Sequence, residues 1–485
     1  MRIKKGPKGG KKLPLSLVIP IVLGICMILD LFLIGEVTGT SKDETKPVVQ
    51  DVSPTKTTTT ANILNSKAPI VAHVVSLIKC SKQASVTGFL DAAAVLRHSI
   101  HKQSVHEGTS KYSYKMYAIV HENCKHHAHV LDRLGYTSLV KPSPVQLDEI
   151  TPGWYRDHVE GENCCGSSEF IKLHAYTLMD HPVTVHWDLD VAVFQPMDDL
   201  FDSIIYPHDS PEGVAARARL EVQHPERTLP RHIDAFITRD ITSSQPWEMH
   251  QGVQGGFLVA KPSMENFEKY LEFIREGNYV RGRGNDRGWY GLGYGGFQGA
   301  MAYQGVVAYF YDQIAVNTAV ELDVCVWNQV VADVIWRGPQ KMDHANQCRE
   351  HPRDGETFEQ NTPENKRCQD CRIFPVDKTK SAHYTACKKP WECLIAHPRH
   401  AADKSQQTRL NNLTNITTCG LLMRKWFDLR SDFEEKLHKT AGVVPATRDG
   451  SFKPESFGGY CKGRGAYIAM NVPPENFDIS KMYGL

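Results

Sequence analysis

Hydrophobic positions fall into three regimes along the chain. Residues 13–34 are almost wholly apolar, interrupted by Ser16, Pro20 and Asp30. Residues 36–68 carry Lys, Thr, Pro and Asp, including the threonine run 57–60, and hold too few apolar residues to pack. From Ile70 onward, apolar runs recur at the spacing of packed elements. Residues 70–78 predict a buried strand, and 88–106 a helix through the spacing of Leu90, Ala94, Leu96 and Ile100. Residues 114–120 predict a second strand, and 128–139 a helix followed by a short strand. A helix from Glu169, a tight turn at His181-Pro182 and an apolar strand over 183–187 come next. Residues 257–260 read as a strand fed by a turn at Gln254-Gly255-Gly256, and 321–328 as a late strand. Alternating strands and helices predict an α/β fold with a mainly parallel sheet. Near the end, 421–437 predicts an amphipathic helix whose Leu422, Trp426, Leu429, Phe433 and Leu437 pack into the core.

The strand over 183–187 runs into Asp188-Leu189-Asp190. Alternate side chains of an extended segment share a face, so Asp188 and Asp190 can reach one point at the strand's carboxyl end. Open α/β sheets bind their ligands at that edge. Two close carboxylates repel, and a hard divalent cation between them is the usual remedy. Spacing alone also fits a solvated loop, so the surrounding residues decide. Lys172-Leu173-His174 precedes the pair, and Met197-Asp198-Asp199-Leu200-Phe201 follows it. Further on come residues 251–263, QGVQGGFLVAKPS, and His383 with Lys389-Pro390-Trp391. A neutral imidazole is a good third ligand beside two carboxylates, and the mixed set suits Mn²⁺.

In this order the stretches resemble glycogenin and its relatives, retaining transferases that use nucleotide-sugar donors. The resemblance implies a GT-A type, Rossmann-like, mainly parallel sheet flanked by helices. From this chain's own pattern, the polar, cysteine-containing stretch 338–380 reads as an insertion in the catalytic domain, residues 69–400, and 401–485 as an extension that packs on it. The resemblance implies Mn²⁺ or another divalent cation on Asp188, Asp190 and His383, with a UDP-sugar as donor. Ser76, Lys172, Leu189, Gln254, Gly255, Gly256 and Lys389 would meet that donor, and Gln298 would join Asp188, Asp190 and Lys389 in catalysis. Three departures stand out. Gln254 replaces the relatives' asparagine, and Ala386 a glycine. Phe297-Gln298-Gly299 stands where relatives have Asp-Gln-Gly, leaving Asp286 or Asp312 to supply the aspartate.

Charge and cysteine usage narrow the class. With 56 basic and 55 acidic residues the net charge is +1, so no global field favours nucleic acid. No Gly-x-Gly-x-x-Gly or Walker lysine motif marks a dinucleotide or ATP site. His121, His126, His127 and His129 read as a solvated face. Of 13 cysteines, those beyond Cys26 form an even set, the pattern of disulfides in a non-cytosolic compartment. Cys368-Gln-Asp-Cys371 could be half a zinc site, but no second pair follows, and a disulfide role is expected.

The basic tail 1–12 followed by residues 13–35 reads as a transmembrane signal anchor with the positive flank cytosolic. Residues 36–68 are then a flexible stem, and the catalytic domain is luminal in a Golgi or other secretory-pathway membrane, as a single-pass type II protein. Cleavage near Gly39-Thr40-Ser41 is the rival reading and leaves the same compartment. Sequons at Asn412 and Asn415 agree with that side.

The expected function is metal-dependent transfer of a sugar, with retention, to a hydroxyl on a protein, lipid or polysaccharide. A homodimer is compatible with the sequence. The rival is a transferase-like protein that binds nucleotide or glycan without turnover. A glycoside hydrolase needs carboxyls on opposite sides of a sugar, which a pair sharing one face does not provide.

Overall fold

The computed structural model describes residues 68–80, 83–162, 165–223, 229–240, 249–282, 286–330, 371, 374–385, 389–392, 418–446 and 467–484. All lie in the compact unit Ser66–Leu485. The basic tail, the apolar span, the stem up to residue 67, most of the insertion, Ala386 and both sequons lie outside the described residues. Among the described residues no helix is long and apolar enough to cross a membrane.

The strands are β1 Ile70–Leu77, β2 Ser113–His121, β3 Tyr136–Lys141, β4 Thr184–Trp187, β5 Val191–Val193, β6 Ala235–Arg239, β7 Val253–Ala260, β8 Tyr279–Val280, β9 Gly288–Trp289, β10 Ala319–Glu321 and β11 Ser381–His383. Seven of them form one sheet in the order β10-β6-β7-β4-β1-β2-β3. Only β7 runs antiparallel to its neighbours. The sheet is therefore mainly parallel, as the alternation of elements predicts. Covering both faces explains why β1 is mostly apolar: Val71, Ala72, Val74 and Val75 are all buried.

Three elements differ from expectation. The helix read over 128–139 stops at Arg133, and the chain turns at Gly135 into β3. Gly135 has φ +82°, and a Cβ there would lie 2.6 Å from Arg97 Nε, so no other residue ends the helix as cheaply. The strand read over 321–328 splits into the end of β10 and a short helix Val324–Trp327, which Asp323 caps by accepting from the Cys325 amide. Gln254, Gly255 and Gly256 lie inside β7 and not in a turn before it.

The helix Gln83–Gln103 packs Ala92, Val95 and Leu96 into one core with Val71 and Val75 of β1. Leu422, Trp426, Phe433 and Leu437 of the helix Thr418–Ala441 join that core, and Leu429 packs at its edge. Asp91 on the first of these helices is 3% exposed. Its carboxylate accepts from the Tyr467 hydroxyl at 2.5 Å and from the Met470 amide at 3.0 Å. Burial pushes its pKa up to about 6, although Arg430 pulls the other way.

Disulfides Cys80–Cys124 and Cys325–Cys371 fasten the loops around the sheet, and Cys165 and Cys419 are disulfide-bonded too. Cys371 is thus committed to a disulfide and is not a zinc ligand. The His121–His129 turn is largely exposed and gives no converging metal group among the described residues.

A raised carboxyl pKa favours the protonated form in the folded state. The stability it contributes is present below about pH 4 and is lost as pH rises through about 6. Asp91→Asn should remove that fall, worth on the order of 3 kcal/mol. Thermal melts of both proteins at pH 4.5 and 7.5 measure it: the variant's Tm should gain on the wild type's at the higher pH.

Candidate functional site

Asp188 continues β4 past its last paired residue, and its amide donates to the Gly256 carbonyl of β7 at 3.1 Å. After Asp190 the chain becomes β5, which pairs antiparallel with β11 in a separate ribbon. That pairing sets His383 opposite Val191. On its other side β11 bonds Gln329, through Gln329 N to Ser381 O at 2.9 Å and His383 N to Gln329 O at 3.0 Å. Tyr384 N then donates to Asp190 O at 2.8 Å. His383 is in this way delivered to the aspartates from nearly two hundred residues downstream by backbone pairing alone.

One ligand atom from each of Asp188, Asp190 and His383 lies within 4.8 Å of the others. His383 Nε2 stands 3.3 Å from Asp190 Oδ1 and 3.8 Å from Asp188 Oδ2. Its Nδ1 is buried without a hydrogen-bond partner, so Nε2 is the nitrogen turned to the carboxylates. Two carboxylate oxygens and one imidazole nitrogen converging on a point fit a Mn²⁺-like cation. The closeness has a backbone condition. A Cβ on Gly256 would meet His383 Cε1 at 2.5 Å and Asp188 Oδ2 at 2.8 Å, so only glycine lets β7 pass behind the triad.

Two lysines neutralise the same carboxylates. Lys172 Nζ bonds Asp188 Oδ1 at 2.8 Å and the Gly255 carbonyl at 3.2 Å. Lys389 Nζ bonds Asp190 Oδ2. Burial opposes the charge on Asp190, yet Lys389 and His383 outweigh it and hold its carboxyl well below the usual range. For Asp188 burial is likewise overcome, by Lys172 and His383. Burial would lower Lys172, but Asp188 and Glu169 raise it.

These groups line one cavity of about 490 Å³. Ser76, at the end of β1, lines it too and shares a 3.1 Å hydrogen bond with His186 Nε2. Burial takes His186 down to about 3, so its ring is neutral at physiological pH. Leu189, Gln254, Gly255 and the exposed Gln298 complete the predicted residues on the wall. Gly256 alone of that set stands behind it, against Asp188 and His383.

Neither aspartate expected to replace the relatives' loop residue reaches the cavity. Asp312 is spent in a 2.6 Å ion pair with Arg239, and Asp286 is exposed elsewhere. Asp240 lines the wall instead, accepting from Gln304 Nε2 at 2.9 Å. Glu169 joins it, one 3₁₀ turn before Lys172 on the segment Gly166–Thr177. Asp240, Glu169 and Gln304 carry no motif. The signal that could have found Asp240 is its place just after β6, at the same sheet edge as Asp188.

No protein-family model matches the chain, and no curated protein matches it. Among solved structures, mouse xyloside xylosyltransferase 1 in its apo form overlaps 65% of this chain and 96% of its own, at 11% identity and TM-score 0.34. The galactosyltransferase LgtC with donor and acceptor sugar analogues overlaps 79% of this chain and 100% of its own, at 11% identity and TM-score 0.34. The glycosyltransferase GlyE of Streptococcus pneumoniae TIGR4 overlaps 78% and 65%, at 10% identity and TM-score 0.33. Overlaps this loose assign no activity. The chemistry rests on this chain's own residues.

His383→Ala and Asp190→Ala should each weaken Mn²⁺ binding by more than about tenfold in calorimetric titration, with the fold retained in far-UV circular dichroism. Gly256→Val should do the same by displacing His383 and Asp188, although it removes no ligand atom.

Proposed function

We propose that the chain is a metal-dependent glycosyltransferase of GT-A type that moves a sugar from a UDP-sugar to a hydroxyl acceptor with retention of anomeric configuration. The observation that carries this reading is the convergence of Asp188, Asp190 and His383 with Lys172 and Lys389 in one cavity at the carboxyl ends of parallel strands. A divalent cation on Asp188, Asp190 and His383, when bound, supplies Lewis-acid neutralisation of the leaving diphosphate. Lys389 and Lys172 add compact positive charges that pair with diphosphate oxygens as negative charge gathers there. Leu77, Ile78 and Phe89 offer an apolar wall for the flat base, and Trp391 backs Phe89 edge-on with centroids 5.3 Å apart. Gln254 and the Gly255 backbone stand beside the glycosyl group.

In the transfer the bond from the anomeric carbon to the phosphate oxygen breaks and a bond to the acceptor oxygen forms on the same face. The acceptor's proton passes to the departing phosphate, so no protein nucleophile is needed. The acceptor is a hydroxyl of a protein, lipid or polysaccharide. Residues 13–35 hold the chain in a Golgi or other secretory-pathway membrane with the catalytic unit in the lumen. The disulfides Cys80–Cys124 and Cys325–Cys371 support an oxidising compartment.

Release of UDP from a panel of UDP-sugars by the full-length chain, disulfides intact, tests the reading. Release should require Mn²⁺, stop with EDTA, and fall at least about a hundredfold in Asp190→Ala. Nuclear magnetic resonance of the product should show the donor's anomeric configuration, and inversion would refute the front-side step. Metal-dependent UDP binding with no turnover of any donor would favour a nucleotide-binding protein instead.

A further inference from the structure

Each aspartate of the triad divides its two oxygens between two partners. Asp188 gives Oδ1 to the Lys172 ammonium at 2.8 Å and turns Oδ2 to His383 Nε2, 3.8 Å away. Asp190 gives Oδ2 to Lys389 and turns Oδ1 to the same nitrogen, 3.3 Å away. Each carboxylate is thus matched by one ammonium, and one oxygen of each is engaged by a lysine.

The two lysines are held differently. Lys172 is 6% exposed, reaches the Gly255 carbonyl at 3.2 Å as well as Asp188, and lies over the Tyr303 ring with Nζ 5.2 Å from its centroid. Its charge is fixed from three directions. Lys389 keeps 29% of its side chain exposed while it bonds Asp190. The backbone beside it is pinned: Pro390–Glu392 form a short 3₁₀ turn, and Trp391 packs against Gly88, where a Cβ would lie 2.3 Å from the indole. Turning Lys389 from Asp190 to another anion in the cavity therefore moves a side chain and leaves the fold alone.

We propose that Lys389 couples the cation to the diphosphate, so that each strengthens the binding of the other. This rests on the glycosyltransferase reading above and deepens it. A cation on Asp188, Asp190 and His383 competes with Lys389 for the charge of Asp190, and the two positive charges oppose each other across one buried carboxylate. A diphosphate alone meets the negative charge of both aspartates. With both bound, the diphosphate offers Lys389 a second anion, Asp190 Oδ2 is released to the cation, and the cation's charge answers the phosphates. Coupling of this kind is reciprocal: the factor that the nucleotide adds to cation affinity, the cation adds to nucleotide affinity. A plain phosphate contact at Lys389 would instead strengthen UDP binding equally with and without metal.

Titrations of the full-length chain, by calorimetry and by the electron resonance of free Mn²⁺, measure this cycle once free Mn²⁺ is corrected for what UDP chelates. UDP should tighten Mn²⁺ binding by the wild type at least about fivefold. Lys389→Met, similar in length and without charge, should bind Mn²⁺ alone about threefold tighter or more and shrink the UDP factor about threefold or more. The wild-type factor needs no variant. No tightening of Mn²⁺ by UDP in the wild type, with UDP bound, would overturn the proposal. So would a Lys389→Met chain, folded by circular dichroism, that binds Mn²⁺ alone no tighter than the wild type or keeps the full UDP factor. Failure of UDP to bind at all in the presence of Mn²⁺ would overturn the transferase reading and the coupling together. Intact coupling with no turnover of any UDP-sugar would favour the nucleotide-binding reading and leave the role of Lys389 standing.

Discussion

Two carboxylates two residues apart on one strand end repel each other, and the surrounding structure is an answer to that repulsion. Asp190 is 3% exposed, so water does not screen it. Lys172 meets Asp188, Lys389 meets Asp190, and the His383 imidazole stands between the two. A buried charge without such partners would cost several kcal/mol. The arrangement keeps the pair ionised, which is the condition for gripping a hard cation.

Geometry follows from that electrostatic need. Asp188 and Asp190 come from one strand end, but His383 has to be carried in. β11 does so by pairing with β5 on one edge and Gln329 on the other. The Cys325–Cys371 disulfide ties the helix before Gln329 to the segment leading into β11. Gly256 then leaves the space that a side chain would fill. Backbone hydrogen bonds and a covalent link thus set where the three ligand residues sit, while the long side chains of Lys172 and Lys389 supply the balancing charge.

Much of this was legible in the sequence, for reasons that differ by element. β1 and β2 are runs of β-branched and apolar residues long enough to read directly, and the helix over 418–441 betrays its buried face by spacing. Asp188, Asp190, His383 and Lys389 are recognisable because strand-end chemistry and motif spacing are local. The rest depends on contacts between distant segments. Gln254-Gly255-Gly256 looks like a turn because glycine usually marks one, yet here the glycines let a strand pass close to Asp188 and His383. The helix over 128–139 fails at Gly135, where Arg97 and Ile479 occupy the space a side chain would need. Asp240 and Glu169 reach the cavity only through sheet order and a 3₁₀ segment, so no spacing rule points to them. The partner of Cys371 is equally a matter of tertiary approach.

The central claim is a cation held by two carboxylates and one imidazole. Electron-nuclear resonance of Mn²⁺ added to the full-length chain, in the absence of nucleotide, tests it most directly. One bound Mn²⁺ per chain, with coupling to a single imidazole nitrogen that disappears in His383→Ala, is the predicted result. Mn²⁺ that stays free in solution, or binds with no nitrogen coupling, would contradict the site.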